Sequence, residues 1–340
     1  MDNGSAPDAP NQTTASLTAN WTYAPIVTIC TGTATVLLNG LVLIVLLRRE
    51  NAAVPFTVYL INLMLANILF VILGNPLDIV NSVYSTWYLG WAVCTLYLYA
   101  YYVVACAVVS AQALITINRL WATSFPVHYR IHHSRRGAVL ICLSMWLYVH
   151  ICLGAGVLLD AVSYRLPVET NGCAINIQAP PLRSWGLITQ WTNFNIPILL
   201  GAVAYFYIYT KVKKRWAIRR LTMKLVAPAP GKVTPVLTLS NPPSDSAVRE
   251  SLASRKRSQS FFILTLVTWT NFVTLVPSQA YFTAVYYADP MTPAMDTLLR
   301  VSSIMLSLQA ALNPVLFAIS MDNVKRFLRD LLRDYCGCCY

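Results

Sequence analysis

Seven apolar stretches, each of about 20 residues or more, run through this sequence and limit what it can fold into. They cover approximately 24–47, 58–80, 95–117, 138–159, 187–209, 260–285 and 298–320. A helix of that length crosses the hydrocarbon core of a bilayer. The second, fifth and sixth stretches are interrupted by Pro76, Pro197 and Pro277. Neighbouring helices satisfy the backbone groups that such prolines free, so the interruptions point to a bundle rather than to isolated spans.

Composition agrees. Of the 340 residues 56% are hydrophobic and only 11% charged, with a mean hydropathy of +0.54. A soluble domain carries about 25% charged residues, so this chain cannot clothe a water-facing surface and its partner is membrane lipid. The net charge of +12 does not signal nucleic acid, because no basic run is interleaved with stacking aromatics. The basic residues sit instead between the apolar stretches. Placing the N-terminus outside puts twenty-two of the twenty-five Lys and Arg residues on the cytoplasmic side and leaves only Arg165, Arg183 and Arg300 outside. That asymmetry obeys the positive-inside rule.

Both ends fit this orientation. Residues 1–23 are polar, with no basic n-region or apolar h-region, so the first span is expected to act as its own insertion signal. Asn3, Asn11 and Asn20 each open an Asn-x-Ser/Thr sequon in this tail, where glycosylation needs the lumenal side. At the other end, 322–335 carries Val324, Phe327, Leu328, Leu331 and Leu332 on one side. This reads as a helix lying along the membrane, with Cys336, Cys338 and Cys339 as sites of S-palmitoylation. The segment 211–257 reads as a flexible cytoplasmic loop, basic at both ends and rich in Pro and Ser between. The expected fold is all-α: a seven-transmembrane helix bundle over 24–320, followed by an amphipathic helix and tail over 321–340. No repeat or row of buried ionisable residues suggests a transporter. Paired carboxylates, nucleophile triads and metal-ligand clusters are absent from the pattern, so neither an enzyme nor a bound cofactor is expected.

Landmarks inside the spans narrow the reading. In order they are Asn39 in Leu-Asn-Gly-Leu-Val, Asn62-Leu63-x-x-Ala66-Asn67, Trp87-x-x-Gly90-x-x-x-Cys94, and Asn118-Arg119-Leu120 with Pro126 following. Trp146, Pro197, Tyr205 and Asn313-Pro314-x-x-Phe317 complete the set. Span by span, over nearly the whole chain, these resemble the signature of rhodopsin-like G-protein-coupled receptors. Tyr102-Val103, Thr268-Trp269-Thr270-Asn271-Phe272 and Phe125-Pro126-Val127-His128-Tyr129-Arg130 are similar to motifs of the biogenic-amine branch, particularly muscarinic acetylcholine and histamine receptors. The resemblance implies a heterotrimeric G protein as partner, an extracellular small-molecule ligand and a plasma-membrane location. It also implies a disulfide between Cys94 and Cys173, and it admits a receptor oligomer. Cys30, Cys106, Cys142 and Cys152 fall within spans, where they read as packing residues.

The departures from that signature carry the expected mechanism. Amine receptors hold a cationic ligand with an Asp in the third span; the aligned residue here is Tyr101. Tyr101, Tyr102 and Trp269 retain cation–π capacity, worth about 2 kcal/mol or more when desolvated. The muscarinic cage tyrosines align with Ser303 and Ser307 and its sixth-span Asn with Val273, so acetylcholine does not carry over. Asp78 is the one acid placed to substitute as an anchor; the competing reading is a span-edge residue contacting water. The other candidate ligand contacts are Tyr97, Cys106, Trp191, Asn195 and Phe272, an aromatic and mildly polar set that suits a neutral or weakly polar molecule. The seventh span has no lysine, so a retinal Schiff base is excluded.

The expected switch residues are altered too. Asn67 and Val108 stand where the family places the Asp and Ser of a sodium site, which predicts weak or absent sodium binding. Asn118 replaces the Asp that restrains Arg119, leaving Arg119 freer to engage a G protein and favouring basal activity. The carboxylate missing at Asn67 and the hydroxyl missing at Phe317 instead remove parts of the relay that stabilises the active state, so the changes act on coupling in opposite directions. Phe317 replaces a tyrosine, Asn271 a proline and Thr265 a phenylalanine, whereas Tyr205, Asn313 and Pro314 are kept. A seven-span protein that does not signal, acting as a decoy, a scavenger or a partner subunit, is the competing functional class.

Overall fold

The computed structural model describes residues 19–48, 54–84, 86–226, 269–287, 292–320, 325–327, 329–330 and 333. The first long helix, α1, is Tyr23–Leu47, and α2 is Pro55–Val83 with Pro55 in its first turn. Proline suits that position because its missing N–H would have had no intrahelical partner. The third, α3, runs from Gly90 to Ser124 as Gly90–Tyr99, a π-helical turn Ala100–Val104, and Ala105–Ser124. A short α4, Pro126–His132, follows. Helix α5 comprises Arg135–Val149, a π turn His150–Gly154, Ala155–Leu159 and a second π turn Asp160–Tyr164. After the one-turn α6, Val168–Asn171, comes α7: Pro180–Thr189, a π turn Gln190–Asn195 and Ile196–Val226. Helix α8 is described over 269–284, and α9 is Pro293–Ser320.

Six of these helices, α1, α2, α3, α5, α7 and α9, are long and apolar enough to cross a membrane. The chain is therefore a multi-pass helical membrane protein. Each of the corresponding apolar stretches falls within a helix, and the helices extend beyond them. The largest extension corrects the expectation of a loop from residue 211: α7 continues to Val226. Its continuation is rich in Lys, Arg, Ala, Leu and Met, all good helix formers, and Pro228 and Pro230 follow.

Helix α1 packs along α2 and α9, while α3 runs through the middle against α2, α5 and α7. Leu46, Leu60, Leu63, Met64, Val103, Val149 and Leu153 form the buried core. Ala107, Ala111 and Ala138 are fully buried among them; small side chains let helix backbones approach where lipid supplies no hydrophobic drive. Gly156 serves the same end, since a Cβ there would lie 2.0 Å from the Trp185 ring. Leu37, Ile44, Leu65, Ile72, Leu140, Leu143 and Ile151 point outward, as a lipid-facing surface requires. Thr31, Thr33 and Thr35 return their hydroxyls to carbonyls four residues back at 2.6 to 2.8 Å, so they enter an apolar helix without leaving a donor unpaired.

One end of the bundle is closed by covalent and ionic ties. Cys94 and Cys173 form a disulfide, as the resemblance implied. Gly90 and Gly172 both adopt positive φ, 79° and 71°, a region that glycine enters without steric cost. They turn the chain close to each cysteine. Arg165 and Asp160 form a salt bridge at 2.7 Å, with side chains 2% and 0% exposed. Arg165 also donates to Thr95 Oγ1 at 2.7 Å, and the backbone N–H of Asn176 donates to Asp160 Oδ1 at 3.0 Å. The pair thus joins α5, α3 and the segment before α7. At the opposite end, residues 325–327 and 329–330 are helical, and the Arg48 guanidinium lies 4.5 Å from the Phe327 ring centroid. Asn3, Asn11, Val324, Leu328, Leu331, Leu332, Cys336, Cys338 and Cys339 lie outside the described residues.

Candidate functional site

Two π turns shape a cavity among the described residues. The first, Ala100–Val104, presents Tyr101 and Tyr102; the second, Gln190–Asn195, presents Gln190 and Phe194. A π turn inserts one residue into the helical ladder and re-aims the side chains around it. Pro197 lies just beyond the second turn and lacks the N–H that would bond back into it, which gives that distortion a local cause. The cavity has a volume of about 150 Å³.

Its walls alternate aromatic and polar groups. Thr28, Thr31 and Thr35 come from α1 and Asn67, Phe70, Asn75 and Asp78 from α2. Tyr101, Tyr102 and Val108 come from α3, Gln190 from α7, Gln279 and Phe282 from α8, and Gln309 from α9. Asp78 is thereby a wall residue of α2 rather than a span-edge group. The Tyr97 hydroxyl donates to Asp78 Oδ1 at 3.1 Å. Tyr97 itself packs between Trp87, with centroids 5.7 Å apart, and Tyr101, at 5.5 Å. A packed aromatic row therefore fixes the carboxylate.

The structure redistributes the expected ligand contacts. Asp78, Tyr101 and Tyr102 meet at this cavity, and Asn67 forms its deep end with Val108. Tyr97 stands one layer behind, as the donor that orients Asp78. Cys106 is fully buried beside Ser110 and faces the core. Asn195 donates to Thr283 Oγ1 at 2.9 Å and accepts from Gln190, tying α7 to α8. Phe272 lines a smaller cavity of about 40 Å³ with Asn271 and Pro197. Trp191 and Trp269 point outward, 42% and 59% exposed. Ser303 and Ser307 lie on α9, and their side chains, like that of Phe317, are outside the described residues.

Sequence reading missed Thr28, Thr31, Asn75, Gln190, Gln279 and Gln309. A usable signal was present on α2: Asn67, Val71, Asn75 and Asp78 recur at helical spacing and share one face.

Below the cavity runs a core of amides. Asn67 Nδ2 donates to Asn39 Oδ1 at 3.2 Å, and Asn39 Nδ2 reaches the Ala310 carbonyl at 3.2 Å. Gln309 Nε2 donates to Gln112 at 3.2 Å and to Asn271 at 3.4 Å. Asn313 is 0% exposed, and neither polar atom of its side chain has a partner among the described residues. Pro314 sits beside it inside α9.

A second cluster lies at the far end of α3. Asn118, almost fully buried, accepts a hydrogen bond from the Tyr129 hydroxyl at 3.1 Å and donates to His133 Nε2 at 3.0 Å. The Tyr129 and His133 rings stack at 4.3 Å, and Tyr59 stacks against His133 at 6.0 Å. Burial pushes the His133 imidazole below its ordinary pKa and raises the Tyr129 phenol, against smaller opposite pulls from Arg119 and Asn118. Arg119 stacks its guanidinium 3.6 Å from the Phe56 ring centroid, and its Nε has no acceptor among the described residues. Tyr205 is buried on α7, which packs against α3. Lys211 Nζ and Arg215 Nη2 donate to the carbonyls of Ser124 and Thr123 at 3.4 and 3.2 Å. These cations cap the negative end of α3.

Comparison with known proteins fits this geometry. Cysteinyl leukotriene receptor 1 of Cavia porcellus is 26% identical over 305 residues, covering 87% of this chain and 80% of that receptor. The alpha-2B adrenergic receptor of Oryctolagus cuniculus is 25% identical over 228 residues, covering 65% of this chain and 55% of that receptor. The same receptor of Rattus norvegicus is 24% identical over 177 residues, covering 52% and 38%. The matched stretch thus spans about half or less of these adrenergic relatives. The model of the family described as "7 transmembrane receptor (rhodopsin family)" matches residues 38–317, most of the chain, and on that ground the chain belongs to the rhodopsin family of seven-transmembrane receptors.

Proposed function

We propose that this protein is an atypical G-protein-coupled receptor of seven spans, with α8 as part of the sixth and its N-terminus outside the plasma membrane. A small molecule bound in the cavity at the disulfide end biases the helices, and the Arg119 end catalyses nucleotide exchange on a heterotrimeric G protein. Loop charge supports the orientation, and the helical pieces near Phe327 support a membrane-lying helix after α9. The motifs around Tyr102, Trp269 and Tyr129 support a place near the amine-receptor branch, although Tyr101 occupies the amine-anchoring position. Glycosylation at Asn3, Asn11 and Asn20, palmitoylation at Cys336, Cys338 and Cys339, and receptor oligomers belong to the same proposal.

The observation that carries it is the environment of Arg119. Among the described residues its charge rests on the Phe56 face and no carboxylate pairs with it, because Asn118 is neutral and occupied by Tyr129 and His133. A cation–π contact is worth about 0.5–1 kcal/mol at exposed sites and about 2 kcal/mol or more when desolvated. Truncating one partner of a buried ion pair typically costs about 3–5 kcal/mol. Releasing Arg119 therefore demands less here than breaking such a pair, which supports measurable activity without ligand. The test is basal signalling in cells expressing the chain, across the main G-protein classes, against Arg119→Ala at matched surface expression. Loss of a basal signal on substitution supports the coupling receptor. Equal signals in every class would favour the competing reading, a non-signalling decoy, scavenger or partner subunit, to which the changes at Asn67 and Phe317 lend support.

A further inference from the structure

We infer that the cavity is a site for a compact organic cation, a small amine or quaternary ammonium, anchored by Asp78 of α2 rather than by a residue of α3. This deepens the proposed function and rests on its placement of the ligand site in this cavity.

The first argument is charge. Among the described residues Asp78 is the one carboxyl group in the cavity wall, and that wall contains no Lys, Arg or His. The salt bridge found among the described residues joins Arg165 to Asp160, not to Asp78. Among the described residues the Asp78 carboxyl accepts a hydrogen bond from the Tyr97 hydroxyl at Oδ1. A carboxylate at membrane depth is costly unless a cation or several donors balance it. One phenol does not supply that balance, and a cationic ligand would.

The second argument is the surroundings of the acid. Tyr101, Tyr102, Phe70 and Phe282 line the same space, so an ammonium held by Asp78 would also meet aromatic faces, which attract cations. Thr28, Asn75, Gln190 and Gln279 supply amide and hydroxyl groups able to accept the remaining N–H bonds or a ligand hydroxyl. The third argument is size. A volume of about 150 Å³ matches a cavity that admits a single six-membered ring. That excludes long lipids and peptides from full enclosure and suits an amine carried on one ring or a short chain.

The position of Tyr101 then has a physical sense. A second carboxylate on α3 would face Asp78 across the cavity, and two like charges there could not both ionise cheaply. The anchoring charge has moved from one helix to the next, and an aromatic face stands where it was.

The test needs no natural ligand. Val71 lies on the same α2 face and lines the cavity, so Val71→Cys places a thiol in the same space, about two helical turns from Asp78. In the full-length chain in lipid nanodiscs, its modification rate would be measured with 2-aminoethyl methanethiosulfonate, a cation, and with the neutral methyl reagent. Rates in the parent chain are subtracted, and the same pair is repeated with Asp78→Asn added. The expected result is a cation-to-neutral rate ratio at least about tenfold higher with the native Asp78 than in the Asp78→Asn variant, equivalent to about 1.4 kcal/mol of local attraction. An unchanged ratio, with the neutral reagent still reacting, overturns the cation site while leaving the cavity standing. Failure of both reagents to reach Val71→Cys would instead refute an accessible ligand cavity, and the proposed ligand-site placement with it.

Discussion

Asn118 shows how one altered side chain redirects a local network. A carboxylate there would pair with the adjacent Arg119. The amide instead accepts from Tyr129 and donates to His133, which docks α4 and the following residue against α3. That arrangement needs His133 Nε2 unprotonated, and burial lowers the imidazole pKa. The groups facing it are Tyr59, Tyr129, Trp121 and Asn118, none of them anionic. The undocked imidazole, with an ordinary pKa near 6.5, takes up its proton before the docked one does. Docking is therefore fully favoured above about pH 6.5 and is lost as pH falls below that value toward the lowered pKa. Hydrogen-exchange protection factors over 126–133, corrected for the slower intrinsic exchange at lower pH, should fall on acidification from neutral pH to about pH 5.5, and His133→Gln, which keeps an acceptor but cannot titrate, should remove the dependence. A fall of equal size in His133→Gln would show that another group titrates.

Among the elements, the segment between α5 and α7 depends on the Asp160–Arg165 pair as well as on the disulfide. Both side chains are excluded from solvent, and such pairs stabilise chiefly through the penalty of leaving one partner alone. Asp160→Ala should cost about 3–5 kcal/mol, seen as a large fall in the thermal unfolding midpoint of the purified protein. The double replacement Asp160→Ala with Arg165→Met should recover much of that loss. A single substitution that leaves the midpoint unchanged would contradict the role assigned to the pair. This pair was not legible in the sequence, where Arg165 is one of three outer basic residues and Asp160 ends an apolar run. The helices themselves were legible, because lipid forces long apolar segments to be helical and loop charge orders them. The π turns were less so: Pro197 explains one, but nothing in Ala100–Val104 announces another. They decide which side chains face the cavity, so Tyr101 and Asp78 were legible as wall residues while Trp191 and Trp269 point away from it. Thr28 and Thr31 of α1, Gln190 of α7, Gln279 of α8 and Gln309 of α9 escaped notice because each is polar alone and acquires meaning only when helices bring them together.

For the whole molecule, Asn67 and Gln309 belong both to the cavity wall and to the amide hydrogen bonds that tie α2 to α1 and α9 to α3 and α8. At the deep end of the cavity Asn67 and Val108 offer a neutral amide and methyl groups, whereas a hard cation prefers anionic and hydroxyl oxygens. Replacing potassium with sodium at constant ionic strength should leave the thermal midpoint unchanged, and Asn67→Asp should introduce a sodium-specific rise. A sodium-specific rise already present in the unaltered chain would show that other oxygens complete the site.

The most direct measurement of the central claim is guanine-nucleotide exchange on purified heterotrimeric G proteins, catalysed by this chain in lipid nanodiscs without ligand, beside Arg119→Ala of equal fold integrity. The account predicts exchange above that of empty nanodiscs for at least one G-protein class, falling to the empty-nanodisc rate with Arg119→Ala. Exchange indistinguishable from empty nanodiscs for every class, or equal rates with and without the Arg119 side chain, would contradict it.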